Sequence, residues 1–343
     1  MKKLLSVVIV VVLVSALLMA CTAQPATSSD PEPAAAEETT AAEPAAEEPA
    51  AEEPAAEEPA AESDDTITIG FSNWSRGFEF YTDMEVGLQE KADELGIEII
   101  MQDPDGDLAE QTKQLENYIA RGVDGIIVVP IDSEASADEI KMVNDAGIPL
   151  ITIDIAATGG GEVLSHIASD NYLGGVLAAE FMGEELGGAG TVAIINNPTI
   201  TPLIDRENGF KETLAEKYPD IEIVSVQSGE SQREKGLEVA ENILQKETDL
   251  GGIFGVNDMM ALGALQAVQA KNMDTVVIGF DATEEARTAI KGDTPMKASI
   301  AQKPKLLGAT GIEVMMNILN GQPVEELIEV EVETITIDNV DNA

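Results

Sequence analysis

The chain has 343 residues, 64 of them acidic against 19 basic, with one histidine and a formal net charge of −45. A protein this negative is repelled by phosphate backbones and by anionic lipid, which excludes nucleic acid as a partner. Its single cysteine, Cys21, leaves no material for a disulfide framework or a thiolate metal site.

From the start, residues 1–20 have the outline of a signal peptide: Lys2 and Lys3, then the apolar stretch Leu4–Ala20. No stop-transfer cluster of charge follows, as a membrane span would require. The segment closes on Leu18-Met19-Ala20-Cys21, which resembles the bacterial lipoprotein signal. That resemblance implies lipid on Cys21 and a chain anchored to the cell membrane through it alone. Residues 21–65 are expected to be a disordered acidic tether. Within them Asp30–Glu62 is Ala, Glu and Pro, with AAEEP repeated at 45–49, 50–54 and 55–59. Such a segment has no apolar face to bury, its like charges repel, and its prolines oppose a helix. Beyond residue 65, 50 acids and 17 basic residues leave the remainder near −33. A habitat of concentrated salt, where charge is screened, is one interpretation.

From Thr66 onward short apolar runs alternate with amphipathic stretches, the pattern of βα units on parallel sheets. The predicted strands are Ile67–Phe71, Ile97–Met101, Gly125–Val129, Leu150–Ile153, Leu164–Ala168, Val192–Ile195, Ile221–Val226, Gly252–Val256, Val276–Phe280 and Ala298–Ala301. Helical patterns between them include Met84–Leu95, Ala109–Arg121, Glu180–Leu186 and Arg233–Gln245. So long a folded part is large for one core and predicts two lobes. Gly147–Asn171 is the centre of the pattern: a buried strand runs into Asp154, then a loop with Gly159, Gly160 and Gly161, then a second apolar run ending in Asp170-Asn171. The glycine loop and the Asp170-Asn171 turn together are expected to carry the chain from one lobe to the other. Polar residues recur at strand ends: Ser72-Asn73, Asp154, Asn196-Asn197, Asn257-Asp258, Asp281 and Gln302. Facing one crevice, they would make a hydrogen-bonding pocket between lobes.

The searches for chemistry are negative. His166 sits inside an apolar strand, the setting of a core residue and not of a catalytic base, so serine–histidine catalysis loses support, and with no second histidine or mature-chain thiol so does a histidine–cysteine zinc site. The Asp103–Asp107 run resembles a calcium loop only loosely, because its twelfth position is Gln114; a turn feeding a helix is expected. No phosphate loop is present, and no cofactor, metal or catalytic residue is expected. Asn257-Asp258 and Asp281 each leave a strand where a helix opens, so each is either a helix cap or a ligand contact.

Taken together and in order, Leu164–Asn171, Asn257–Leu265 and Gly279–Thr283 resemble the periplasmic ribose-binding family, the type I sugar-binding proteins of ABC importers. The resemblance implies two Rossmann-like α/β lobes with parallel sheets joined by a three-strand hinge. Residues 66–169 plus 303–330 would form the N-terminal lobe, and 170–302 plus 331–343 the C-terminal one. It also implies a sugar in the cleft, contacted by Asp154, Asn257, Asp281 and Gln302, with Phe280 as an aromatic wall and Ser72 and Phe78 in the first loop. The chain departs from the family at Ile155 and Ile204, where arginines are expected, and at Ser231, where an aromatic is. Arg206 is assigned a structural part. Arg76 and Glu79 are new in the first loop; Arg76 is a candidate ligand contact, with a surface pair to Glu79 as the alternative. The implied function is an extracytoplasmic, monomeric lipoprotein that captures a small sugar or polyol for an ABC permease. A ligand-presenting sensor for a membrane receptor is the alternative, an intracellular repressor is opposed by the leader, and an enzyme comes last. The two missing arginines predict that ribose itself binds weakly.

Overall fold

The computed structural model describes residues 66–341, so the leader, Cys21 and the tether lie outside the described residues. The first half runs β1 (Thr68–Ser72), α1 (Glu79–Leu95), β2 (Glu98–Gln102), α2 (Leu108–Arg121), β3 (Gly125–Val128), α3 (Ala137–Asp145), β4 (Leu150–Ile153) and β5 (His166–Ser169). There follow α4 (Asn171–Glu185), β6 (Ala189–Asn196), α5 (Thr201–Lys217), β7 (Asp220–Ser228), α6 (Arg233–Lys246), β8 (Gly252–Gly255), α7 (Asp258–Lys271), β9 (Val276–Asp281), α8 (Glu284–Lys291) and β10 (Met296–Ala301). The chain closes with α9 (Pro304–Leu319), β11 (Leu327–Val330) and β12 (Glu333–Thr336).

The strands sort into two six-stranded sheets, ordered β11-β5-β4-β3-β1-β2 and β12-β10-β9-β8-β6-β7. Every pairing is parallel except β10 with β12. All residues of β3, β4 and β8 are buried, as expected for parallel strands covered by helices on both faces. The predicted α/β architecture with two parallel-sheet lobes is therefore the observed one.

The chain passes between sheets three times: after β5, after β10, and between β11 and β12. The glycine loop is not one of these passages. It joins β4 to β5 inside the first sheet, and Gly160, at φ 88°, lies where a Cβ would stand 1.9 Å from the Ala137 carbonyl oxygen. Its backbone thus packs against the start of α3, and the Asp170-Asn171 turn alone makes the first crossing. Strands β11 and β12 were not among the predicted ones. Both lie at sheet edges in an acid-rich run and show too little apolar alternation to stand out.

Candidate ligand-binding site

The ends of the central strands converge on one cavity. Asp154 follows β4 and Asp281 ends β9, both at positive φ (66° and 114°), a backbone uncommon for any residue but glycine. Asp154 is 5% exposed and accepts a hydrogen bond from the Tyr81 hydroxyl at 2.9 Å. Gln302 donates through Nε2 to Asp281 at 2.7 Å, while its Oε1 accepts from Ser169 Oγ at 2.6 Å. Asn257 caps α7 by accepting from the Met260 amide at 2.9 Å, so its carboxamide is held at the cavity wall.

Arg206, from α5, is the one buried cation of the site. Its Nε donates to Asn171 Oδ1 at 2.8 Å and its Nη1 to the Val256 carbonyl at 2.9 Å. The guanidinium carbon lies 3.6 Å above the Phe280 ring centre, and Nη1 is 3.7 Å from Asp281 Oδ1. A guanidinium over an aromatic face is attracted by the ring's charge distribution. Room for the ring comes from Gly174 on α4, where a Cβ would stand 2.4 Å from Phe280 Cε2. Gly174→Ala is accordingly expected to push the ring and Arg206 out of place and to lower stability by about 1–3 kcal/mol. Chemical denaturation together with a binding titration of the variant checks both effects.

Aromatic side chains form the opposing wall. Trp74 and Phe78 meet edge to face at 5.3 Å, Trp74 stacks on Tyr81 at 6.1 Å, and Trp74 Nε1 donates to the Ile131 carbonyl at 3.0 Å. The cavity spans about 440 Å³, including its solvent mouth. It is lined by Trp74, Phe78, Phe80, Tyr81, Asp154, Ile200, Leu203, Arg206, Ser231, Asn257, Asp281 and Gln302.

Five expected contacts therefore lie on one cavity: Phe78, Asp154, Asn257, Asp281 and Gln302. Three do not. Ser72 is fully buried and donates to Gln114 Oε1 at 2.8 Å. Arg76 is 45% exposed and paired with Glu85 at 2.8 Å, not with Glu79 or the cavity, because Glu85 lies within reach on the first turns of α1. Phe280 is a shelf beneath Arg206 and not a wall. Arg206, assigned a structural part from sequence, lines the cavity, whereas Ile155 is buried and neither it nor Ile204 is among the lining residues. Trp74, Phe80, Tyr81, Ile200 and Leu203 were missed. A signal for the first three exists, since four of the chain's twelve aromatic residues fall between positions 74 and 81.

Burial dominates the electrostatics. It pushes Asp154 up to about 6, against the pull of Arg206 and the Tyr81 bond, and it raises Asp281 too, opposed by Arg206 and Gln302. The Arg206 guanidinium is itself lowered by burial. Asp258, fully buried behind Asp281, is held well above the carboxylate range by desolvation and by that neighbouring acid. It accepts from Ser299 Oγ at 2.7 Å and from the Thr283 amide at 2.8 Å, which makes it a structural anchor. His166 is remote from the cavity; its Nδ1 lies 2.8 Å from Thr152 Oγ1, and burial pushes it down to about 4. Asp107 caps α2 by accepting from Glu110, as the turn reading of Asp103–Asp107 expects. Among the described residues no group of three or more His, Cys, Asp or Glu can hold a metal ion, and no helix is long and apolar enough to cross a membrane.

Two parallel α/β lobes around a cleft of carboxylates, carboxamides and one guanidinium define a bilobed small-molecule binding protein. A model of the periplasmic binding protein domain matches residues 69–323, and the chain belongs to that family. It is 36% identical over 262 residues to the ribose import binding protein of Bacillus subtilis (strain 168), covering 76% of this chain and 84% of that one. Among solved structures it resembles an ABC transporter solute-binding protein of Actinobacillus succinogenes 130z with bound D-allose. The TM-score is 0.76 at 30% identity, over 81% of this chain and all of that one. A solute-binding protein of Bacillus halodurans C-125 with bound myo-inositol gives a TM-score of 0.75 at 32% identity, over 81% of this chain and 96% of that one.

Proposed function

We propose that this protein captures a small sugar or polyol outside the cytoplasm and delivers it to an ABC importer, without catalysis. The observation that carries the reading is the convergence of Asp154, Asp281, Asn257, Gln302 and Arg206 beside an aromatic wall. Ionised carboxylates accept from hydroxyls, carboxamides and guanidinium donate to them, and a ring face covers the apolar side of a carbohydrate. The ribose, allose and inositol named for the relatives support the same class. Ile200 and Leu203 offer no hydrogen bond, which supports a ligand with one apolar edge, such as a deoxy or methyl carbon. The lobes are taken as 66–169 with 303–330 and 170–302 with 331–343, and the protein acts as a monomer.

The test is a thermal-shift screen of the full chain against D-ribose, D-allose, myo-inositol, xylitol and deoxyhexoses. A compound at a hundred times its Kd is expected to add about 2.7 kcal/mol of stability. D-Ribose is expected to give a smaller shift than a deoxy or six-carbon compound, and a submicromolar Kd for D-ribose would remove that part. No shift with any compound would sink the sugar reading. Lipid is assigned to Cys21, so fatty-acid labelling is expected in the wild type and absent in Cys21→Ser.

A further inference from the structure

We propose that Glu79 sets the protein's affinity without touching the ligand, by clasping the N-terminus of α8 across the cleft. The inference rests on the binding function proposed above. Glu79 is the first residue of α1, on the lobe of the first sheet, and α8 belongs to the lobe of the second. Its two carboxylate oxygens accept from the Glu284 amide at 3.2 and 3.3 Å, and Oε1 lies 3.9 Å from Arg287 Nη2. The opening amides of a helix have no partner within it and favour an anion. The helix's own cap does not take this place, because Thr283 Oγ1 accepts from Ala286 and leaves the Glu284 amide to Glu79.

A second bond has the same design with neutral partners. Ser133 Oγ, on the loop after β3, accepts from the Thr201 amide at the start of α5 at 3.2 Å. In both, a side chain of the first lobe takes an amide at the N-terminus of a second-lobe helix. The three connections between the sheets are the only covalent links between the lobes, so opening about them pulls both contacts apart. Only the Glu79 contact is charged, and it works against repulsion between two acidic bodies. With the lobes as proposed, the first carries 24 acids and 7 basic residues, the second 26 and 10.

The test pairs Glu79→Ala with Glu79→Gln, which keeps an acceptor and loses the charge. Dissociation of the sugars that shift the protein in the screen is followed by stopped flow. The Ala variant is expected to release them about two- to fivefold faster, the Gln variant less so, with little change in association. In about 1 M salt the difference between wild type and Glu79→Gln is expected to shrink, because the charge is screened within about 3 Å. A ligand-independent arm places spin labels at exposed positions 95 and 241 of Leu95→Cys/Glu241→Cys in a Cys21→Ser background. There Glu79→Ala is expected to move the distance distribution toward the open form. An unchanged distribution together with unchanged release overturns the proposal. If no sugar is bound at all, the sugar reading fails, and the label distances alone decide the clasp.

Discussion

Arg206→Met is expected to abolish binding and to destabilise the ligand-free protein. The guanidinium is the single buried cation near Asp154 and Asp281, and it fixes three things at once through Asn171, the Val256 carbonyl and the Phe280 ring. Methionine fills part of the space over the ring and leaves two buried carboxylates without a compensating cation. Breaking a buried pair by removing one partner costs about 3–5 kcal/mol, because the remaining charge stays desolvated. The acids have an escape, which is to take up protons. The loss of stability is therefore expected to be large near neutral pH and to shrink on acidification, seen as a denaturation midpoint that recovers toward wild type. Sugar affinity is expected to fall by more than about a hundredfold. Binding retained within about tenfold would mean that Arg206 only props the pocket.

Lowering the pH through about 6 is expected to move ligand-free stability and sugar affinity in opposite directions. Burial raises Asp154 from its ordinary value of 3.8 to about 6 in the folded protein. The fold thus holds the ionised form at a cost that is fully present above pH 6 and fades as the folded form takes up its proton toward pH 4. That cost is worth about 3 kcal/mol, and relief from it makes the ligand-free protein firmer in mild acid. Asp281 and Asp258, also raised by burial, contribute with the same sign. Hydroxyl donors need the carboxylate as an acceptor, so the ligand-induced shift is expected to shrink over the same window. Asp154→Asn removes this titration: its affinity is low, and less dependent on pH than the wild type's. Melting curves with and without sugar across the window decide it, and parallel changes in both would refute the assignment.

The parallel lobes were legible because buried strands such as Leu150–Ile153 and Gly252–Val256 are short apolar runs ending in polar residues, and that pattern depends on local sequence. The acids of the cavity were legible for the same reason, since a strand end and its neighbour in the chain are one feature. Arg206 was not. It lies on a helix, and its partners Asn171, Val256 and Phe280 are brought to it only by packing. The first turns of α4 were hidden by Gly174 and Gly175, poor helix formers that are there so that Phe280 and the Arg206 backbone can approach. Arg76 misled in the opposite way, since position in the first loop does not say which acid lies within reach.

The last strands of the chain have a consequence for the order in which the molecule is built. The strands β6 to β10 and their helices come from one unbroken stretch, and only the antiparallel edge strand β12 is added later. The other half begins first but is completed only by α9 and β11, after all the parallel strands of the second sheet have been made. Until residues 304–330 emerge, β5 has no outer neighbour, and the faces of β3, β4 and β5 that pack against α9 are uncovered. An unpaired strand and bare apolar surface are what keep a nascent chain from settling and what expose it to aggregation. Through most of its synthesis the N-terminal half is thus unfinished, the condition a chain must keep if it is to be threaded across a membrane before it folds.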